Sequence, residues 1–168
     1  MNSFLWEEII RGLPIPCTDS EISEFEREFG LELPQEFRVF LKSLNGGTAK
    51  FENTIEGDFD DDEIELSFVY PLVSEMNEFS GGISGLCRRW NLEGWNLRGC
   101  FPFGDNNGGG YFFLVLFGEF DGAVFYADAE EFFGECFSDQ QKDEMSIPDC
   151  FIKASDSFDS LRSKVMRD

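Results

Sequence analysis

The sequence predicts an α+β fold, a single domain over residues 1–168 with a mainly antiparallel sheet flanked by N-terminal helices and a C-terminal helix. Three observations predict it. Two amphipathic stretches with helical punctuation come first, strand-like runs separated by turn residues fill the middle, and a last capped apolar stripe follows. That order belongs to a sheet built of neighbouring strands, not to an alternating parallel one.

The first stretch, "FLWEEIIRGLP", places Leu5, Trp6, Ile9 and Ile10 at helical spacing before Gly12 and Pro14, predicting a short helix. In "CTDSEISEFEREFG", Thr18 and Glu21 have capping-box spacing, in which each side chain satisfies an orphaned N–H of the first turn. Ile22, Phe25 and Phe29 then share a face, and Gly30 suits a left-handed C-terminal cap. The next helix lies in "LPQEFRVFLKSLNGG": Pro34 fits the first turn, Phe37, Phe40, Leu41 and Leu44 form the stripe, and Asn45-Gly46-Gly47 stops it. "GLEL" joins the two as an αα-hairpin.

After residue 50 the period changes to two. In "EIELSFVYP", Ile64, Leu66, Phe68 and Tyr70 are expected on one face of a half-buried strand. Residues 74–98 are broken by glycines and read as a loop with a short helix. "CFPFG", "GYFFLVLF" and "GAVFYAD" are three strands separated by the turn sequences "DNNGG" and "GEFDG", the last two strands forming a hairpin or meander. In "ASDSFDSLRSKVMRD", Ser155 is the expected N-cap and Phe158, Leu161 and Val165 the stripe of the closing helix.

Charge and composition narrow the function. With 34 acidic against 13 basic side chains the net charge is −21, which opposes direct docking on nucleic acid or anionic lipid and suits a basic protein partner. There is no histidine, so triads and zinc sites built on imidazole are excluded. The five cysteines, Cys17, Cys87, Cys100, Cys136 and Cys150, are widely spaced without a C-x-x-C pair, and are expected to be reduced and structural. Glu7 and Glu8 interrupt what a secretory leader would need to be apolar, and "YFFLVLF" is too short to cross a bilayer as a helix. A soluble, cytoplasmic protein is expected.

Two loops could carry function. From Phe51 to Cys87 there are ten acidic residues and no Lys or Arg, the densest part holding Glu56, Asp58, Asp60, Asp61, Asp62 and Glu63. Such a run is either a solvated loop or a docking patch for a basic surface; the self-repulsion it carries favours the patch. It is not a calcium loop, because the sixth position counted from Asp58 is Glu63 instead of glycine and the twelfth is Val69 instead of glutamate. "FGDNNGGGY", with Asp105 in it, has the glycines of a phosphate cradle but not its Lys-Ser/Thr ending, and reads as a sheet turn. No metal and no cofactor are expected.

As an ordered set, the capped helices, "FPFGDNNGGGYFFLVL", "DGAVFYAD" and "ASDSFDSL" resemble the SUKH superfamily, the Smi/Knr type, over nearly the whole chain. The matching framework positions are Trp6 in the first helix, Glu26 in the second, Leu33 and Pro34 before the third, and Asn45 and Gly46 after it. The family's glycine-rich turn usually carries an acidic residue after its Gly-Gly; here Gly110 stands there and Asp105 comes earlier. The resemblance implies an α+β fold, no catalysis, and most often an immunity protein that binds and silences a bacterial toxin domain, frequently a nuclease. A minority of such proteins look like cell-wall regulators acting as interaction scaffolds. On this reading the helices are a framework, and exposed surfaces of the sheet adapt to the partner. The candidate partner-binding residues are the six acids of the block together with Asp105.

Overall fold

A computed structural model of the chain describes residues 5–13, 15–57, 59, 63–72, 82–92, 99–134 and 147–167. The N-terminal helix is a single turn, α1 (Trp6–Ile9), shorter than its spacing predicts, and the chain continues directly as strand β1 (Ile10–Gly12). Ile10 is extended (φ −106°, ψ 132°), buried, and paired with Ala49, while Leu5, counted in the predicted stripe, is exposed. A strand partner satisfies the backbone of residues 10–12, and a β-branched residue accepts that geometry readily.

The helical hairpin follows its punctuation closely. Helix α2 (Asp19–Phe29) begins with the predicted capping box: the Glu21 N–H donates to Thr18 Oγ1 (3.2 Å) and the Thr18 N–H to Glu21 Oε2 (2.7 Å). The bond from the Thr18 N–H, with a second from the Thr18 hydroxyl (2.7 Å), holds the Glu21 carboxyl below its ordinary pKa. Gly30 closes the helix in the left-handed region (φ 63°). Helix α3 (Gln35–Ser43), with Pro34 at its N-cap, buries Phe37, Phe40 and Leu41.

Strands β2 (Gly47–Ala49), β3 (Asn53–Ile55) and β4 (Phe68–Val69) come next, then helix α4 (Gly82–Leu92) within the expected loop region. Strands β5 (Cys100–Asp105), β6 (Gly110–Val115) and β7 (Val124–Asp128) are the three runs read from sequence. A short helix α5 (Ala129–Gly134), strand β8 (Ile152–Ser155), helix α6 (Phe158–Arg162) and strand β9 (Val165–Arg167) complete the described chain. Seven strands form one sheet in the order β1-β2-β4-β5-β6-β7-β8, every pairing antiparallel, and β3 pairs antiparallel with β9.

Three local expectations are corrected. In residues 63–71 the alternation slips: Ile64 and Leu66 are buried, but Val69 joins them instead of Phe68 and Tyr70, which are half-buried. The Asn53 side chain explains the slip, since it accepts from the Leu66 N–H and donates to the Leu66 carbonyl (both 3.1 Å), replacing a strand partner there. The C-terminal helix is capped by Ser157, whose Oγ accepts from the Ser160 N–H at 3.0 Å; Ser155 ends β8, and Val165 begins a strand. Among the thiols, Cys17, Cys87 and Cys100 are free as expected, Cys150 is disulfide-bonded instead of reduced, and Cys136 lies outside the described residues. Which thiols meet is decided by the tertiary fold and leaves no trace in their spacing.

The sheet is packed on both faces. Along β6, Phe112 and Leu114 enter the main core with Trp6, Ile22, Phe25, Phe37, Phe40 and Phe158. Phe113 and Val115 enter a second core with Trp90, Phe125, Phe132 and Phe151. The central strands β5–β7 therefore present no broad open face, contrary to a sheet whose surfaces are free for a partner. Exposed contact area has to come from turns, loops and the β1-β2-β4 end.

Candidate protein-binding surface

The family-motif residues serve the framework. Trp6 is buried, stacked on Phe158 (ring centroids 4.5 Å) and edge-on to Phe40 (5.5 Å). Glu26 clamps the helical hairpin: its Oε1 accepts from the Leu33 N–H (2.8 Å), and its carboxylate takes a forked pair from the Arg38 guanidinium, with Nη2 2.6 Å from each oxygen. Leu33 is buried and Pro34 sets the entry to α3. Asn45, in the left-handed region (φ 48°), accepts from the Leu72 N–H (3.1 Å) and donates to the Ile15 carbonyl (3.0 Å). Gly46 (φ 85°) lies where a Cβ would stand 2.5 Å from the Val69 carbonyl oxygen, so only glycine fits without displacing β4.

Of the acidic block, Glu56 and Glu63 are described and both are exposed, whereas Asp58, Asp60, Asp61 and Asp62 lie outside the described residues. Backbone bonds tie the block's two ends to the body: Ile55 N–H to the Ile64 carbonyl (2.7 Å) and Glu56 N–H to the Lys164 carbonyl (2.8 Å). Sequence reasoning missed Phe59. This ring, in the midst of the acids, is buried edge-on against Tyr126 at 6.2 Å. A single large apolar residue inside a charged run is the signal that could have identified it as an anchor.

Tyr126 also connects the block to the glycine-rich turn. Its hydroxyl accepts from Asn106 Nδ2 (2.9 Å), and Asn106 Oδ1 accepts from the Gly109 N–H (3.0 Å). Asn107 (φ 65°) and Gly108 (φ 101°) supply the left-handed positions of the turn between β5 and β6, and a strand follows instead of a helix. The segment is thus a hairpin turn, with no phosphate-cradling geometry. Asp105 secures it from the other side: Oδ1 accepts from the Asn107 N–H (2.9 Å) and Oδ2 from the Tyr70 hydroxyl (2.7 Å). Burial, reinforced by Asp105, raises the Tyr70 pKa and keeps the phenol a donor. The two candidate loops, far apart in sequence, are neighbours through Phe59, Tyr126 and Asn106.

The free thiols among the described residues are buried or half-buried. Burial pushes the thiols of Cys17, Cys87 and Cys100 up to about 12, which leaves almost no thiolate at neutral pH. Asp128 caps α5, its Oδ1 accepting from the Glu130 N–H at 2.8 Å. Among the described residues no helix is long and apolar enough to cross a membrane.

A capped helical pair on an antiparallel sheet, with its motif residues committed to packing and turns, defines an α+β framework domain. The chain belongs to the SMI1 / KNR4 family (SUKH-1), whose family model matches residues 16–159. Trp6 precedes the matched span, while Glu26, Leu33, Pro34, Asn45, Gly46 and Asp105 fall inside it. Comparison with curated proteins finds no match.

Proposed function

We propose that the protein is a non-catalytic immunity protein that neutralises a basic toxin domain by binding it directly. The observation that carries this reading is the acidic run in a chain of net charge −21, anchored by the buried Phe59 beside the glycine-rich turn. Membership of the SMI1 / KNR4 family supports it. The ties at Ile55, Glu56 and Phe59 hold the described residues of the acidic run to the body beside the glycine-rich turn, so binding need not order them from a free tail. The charge draws the partner in and contacts nearer the turn fix it. The absence of histidine and the protonated state of the free thiols support a role without catalysis.

The test is a stopped-flow measurement with a basic toxin domain that the chain is found to bind, sought first among the products of neighbouring genes. A variant carrying Glu56→Gln, Asp58→Asn, Asp60→Asn and Glu63→Gln is expected to associate roughly tenfold more slowly at low ionic strength, with a smaller change in off-rate. The gap should close as salt screens the charges. Equal on-rates at low salt would reduce the block to a solvated loop.

A further inference from the structure

The sheet register sets a second surface apart from the acidic block. Arg11, Thr48, Phe68, Asp105, Tyr111 and Ala127 stand directly opposite one another across β1, β2, β4, β5, β6 and β7. Directly paired residues project to the same side of a sheet, with Cβ atoms about 4.5–5.5 Å apart. The adjacent row, which includes Val69, Phe112 and Tyr126, enters the main core, so this row lies on the opposite face. Along it the cover runs out: Ala127 is buried, Tyr111, Asp105 and Phe68 are half-buried, and Thr48 and Arg11 are exposed.

Asp105 is thus a carboxylate set between rings. Phe68 and Tyr111 are its neighbours on either side, Tyr70 donates to it, and the Tyr70 ring lies 5.6 Å from that of Phe68. Phe133, 40% exposed, stands edge-on to Tyr111 at 5.9 Å and extends the aromatic area. A carboxylate offers about four acceptor positions, and the bonds from Tyr70 and the Asn107 N–H occupy two of them.

We propose that this row receives an arginine side chain of a basic protein partner, its guanidinium bonded to Asp105 and lying against the rings of Phe68, Tyr70 and Tyr111. A guanidinium is the cation that combines in-plane pairing to a carboxylate with stacking on aromatic faces. The net charge of −21 selects a basic partner over a second copy of this chain. The inference rests on the proposed function only in taking that partner to be a basic protein. Among the described residues, two cations of this chain border the surface: Arg11 ends the row, and Arg89, exposed on α4, adjoins Trp90, whose ring stands edge-on to Tyr111 at 5.5 Å. Arg89 therefore opposes an incoming cation.

The experiment is a two-dimensional amide NMR titration of the whole chain with N-acetyl-arginine methylamide, and in parallel with its lysine counterpart. Shifts concentrated at Phe68, Tyr70, Asp105 and Tyr111, with the arginine probe bound roughly two- to fivefold more tightly than the lysine probe, are expected. Asp105→Asn should abolish the localised shifts. Arg89→Gln, at an exposed position, should tighten arginine binding, and carries the test by itself if Asp105→Asn does not fold. Shifts spread over the acidic surface and equal for both probes would overturn the proposal, as would an Arg89→Gln variant that binds no better than the parent. Signals at the row that depend on protein concentration and do not respond to the probe would also overturn it, because a second copy would then be the occupant. No toxin is needed, so failure here leaves the toxin-binding reading standing, and failure of that reading leaves this result intact.

Discussion

Phe158→Ala is expected to destabilise the protein by about 3–5 kcal/mol, the cost of removing a buried ring from a core that cannot collapse around the gap. Phe158 has no exposed surface, and among the described residues it is packed by the rings of Trp6 at 4.5 Å, Phe37 at 4.8 Å, Phe40 at 5.1 Å and Phe103 at 5.4 Å. Those partners come from α1, α3 and β5, so the ring joins the two ends of the chain to the sheet. Urea unfolding should show a lower midpoint with an unchanged slope. A loss below about 1 kcal/mol would mean that the site relaxes, and that the layers are held together elsewhere.

Asn45→Ala is expected to cost about 2–3 kcal/mol, from two separable causes. The first is the buried Leu72 N–H, which loses its acceptor; the second is the left-handed backbone at φ 48°, which asparagine tolerates and alanine does not. Asn45→Gly removes the second cause and keeps the first, so it should recover about 1 kcal/mol of the loss. If the alanine and glycine variants unfold at the same urea concentration, the backbone conformation contributes nothing and the side-chain bonds carry the whole effect.

The parts of the fold that were legible from sequence are those fixed by local chemistry. Thr18 and Glu21, Gly30, and the Asn45-Gly46 stop each satisfy or terminate a helix within a few residues, and the turn between β5 and β6 announces itself through Asn107 and Gly108. The parts that were not legible depend on distant partners. Ile10 leaves its helix because β2 offers a ladder, and the alternation after Leu66 slips because the Asn53 side chain stands in for a strand. Ser157 displaces Ser155 as the cap because β8 claims Ser155 through its pairing with Val124. The same division holds at the surface. Acidity and the glycine-rich turn were visible as composition, but their adjacency depends on Phe59, Tyr126 and Asn106 meeting in space. The cross-strand row around Asp105 exists only once the register of six strands is known.

The measurement that bears most directly on the proposed function is a titration with the purified chain of whichever toxin domain a neighbouring gene is found to encode, following that toxin's own activity. Complete loss of that activity at one chain per toxin, with no turnover by the chain itself, is the predicted result. Undiminished toxin activity at a large excess of the chain, or a reaction that purifies with the chain, would contradict it.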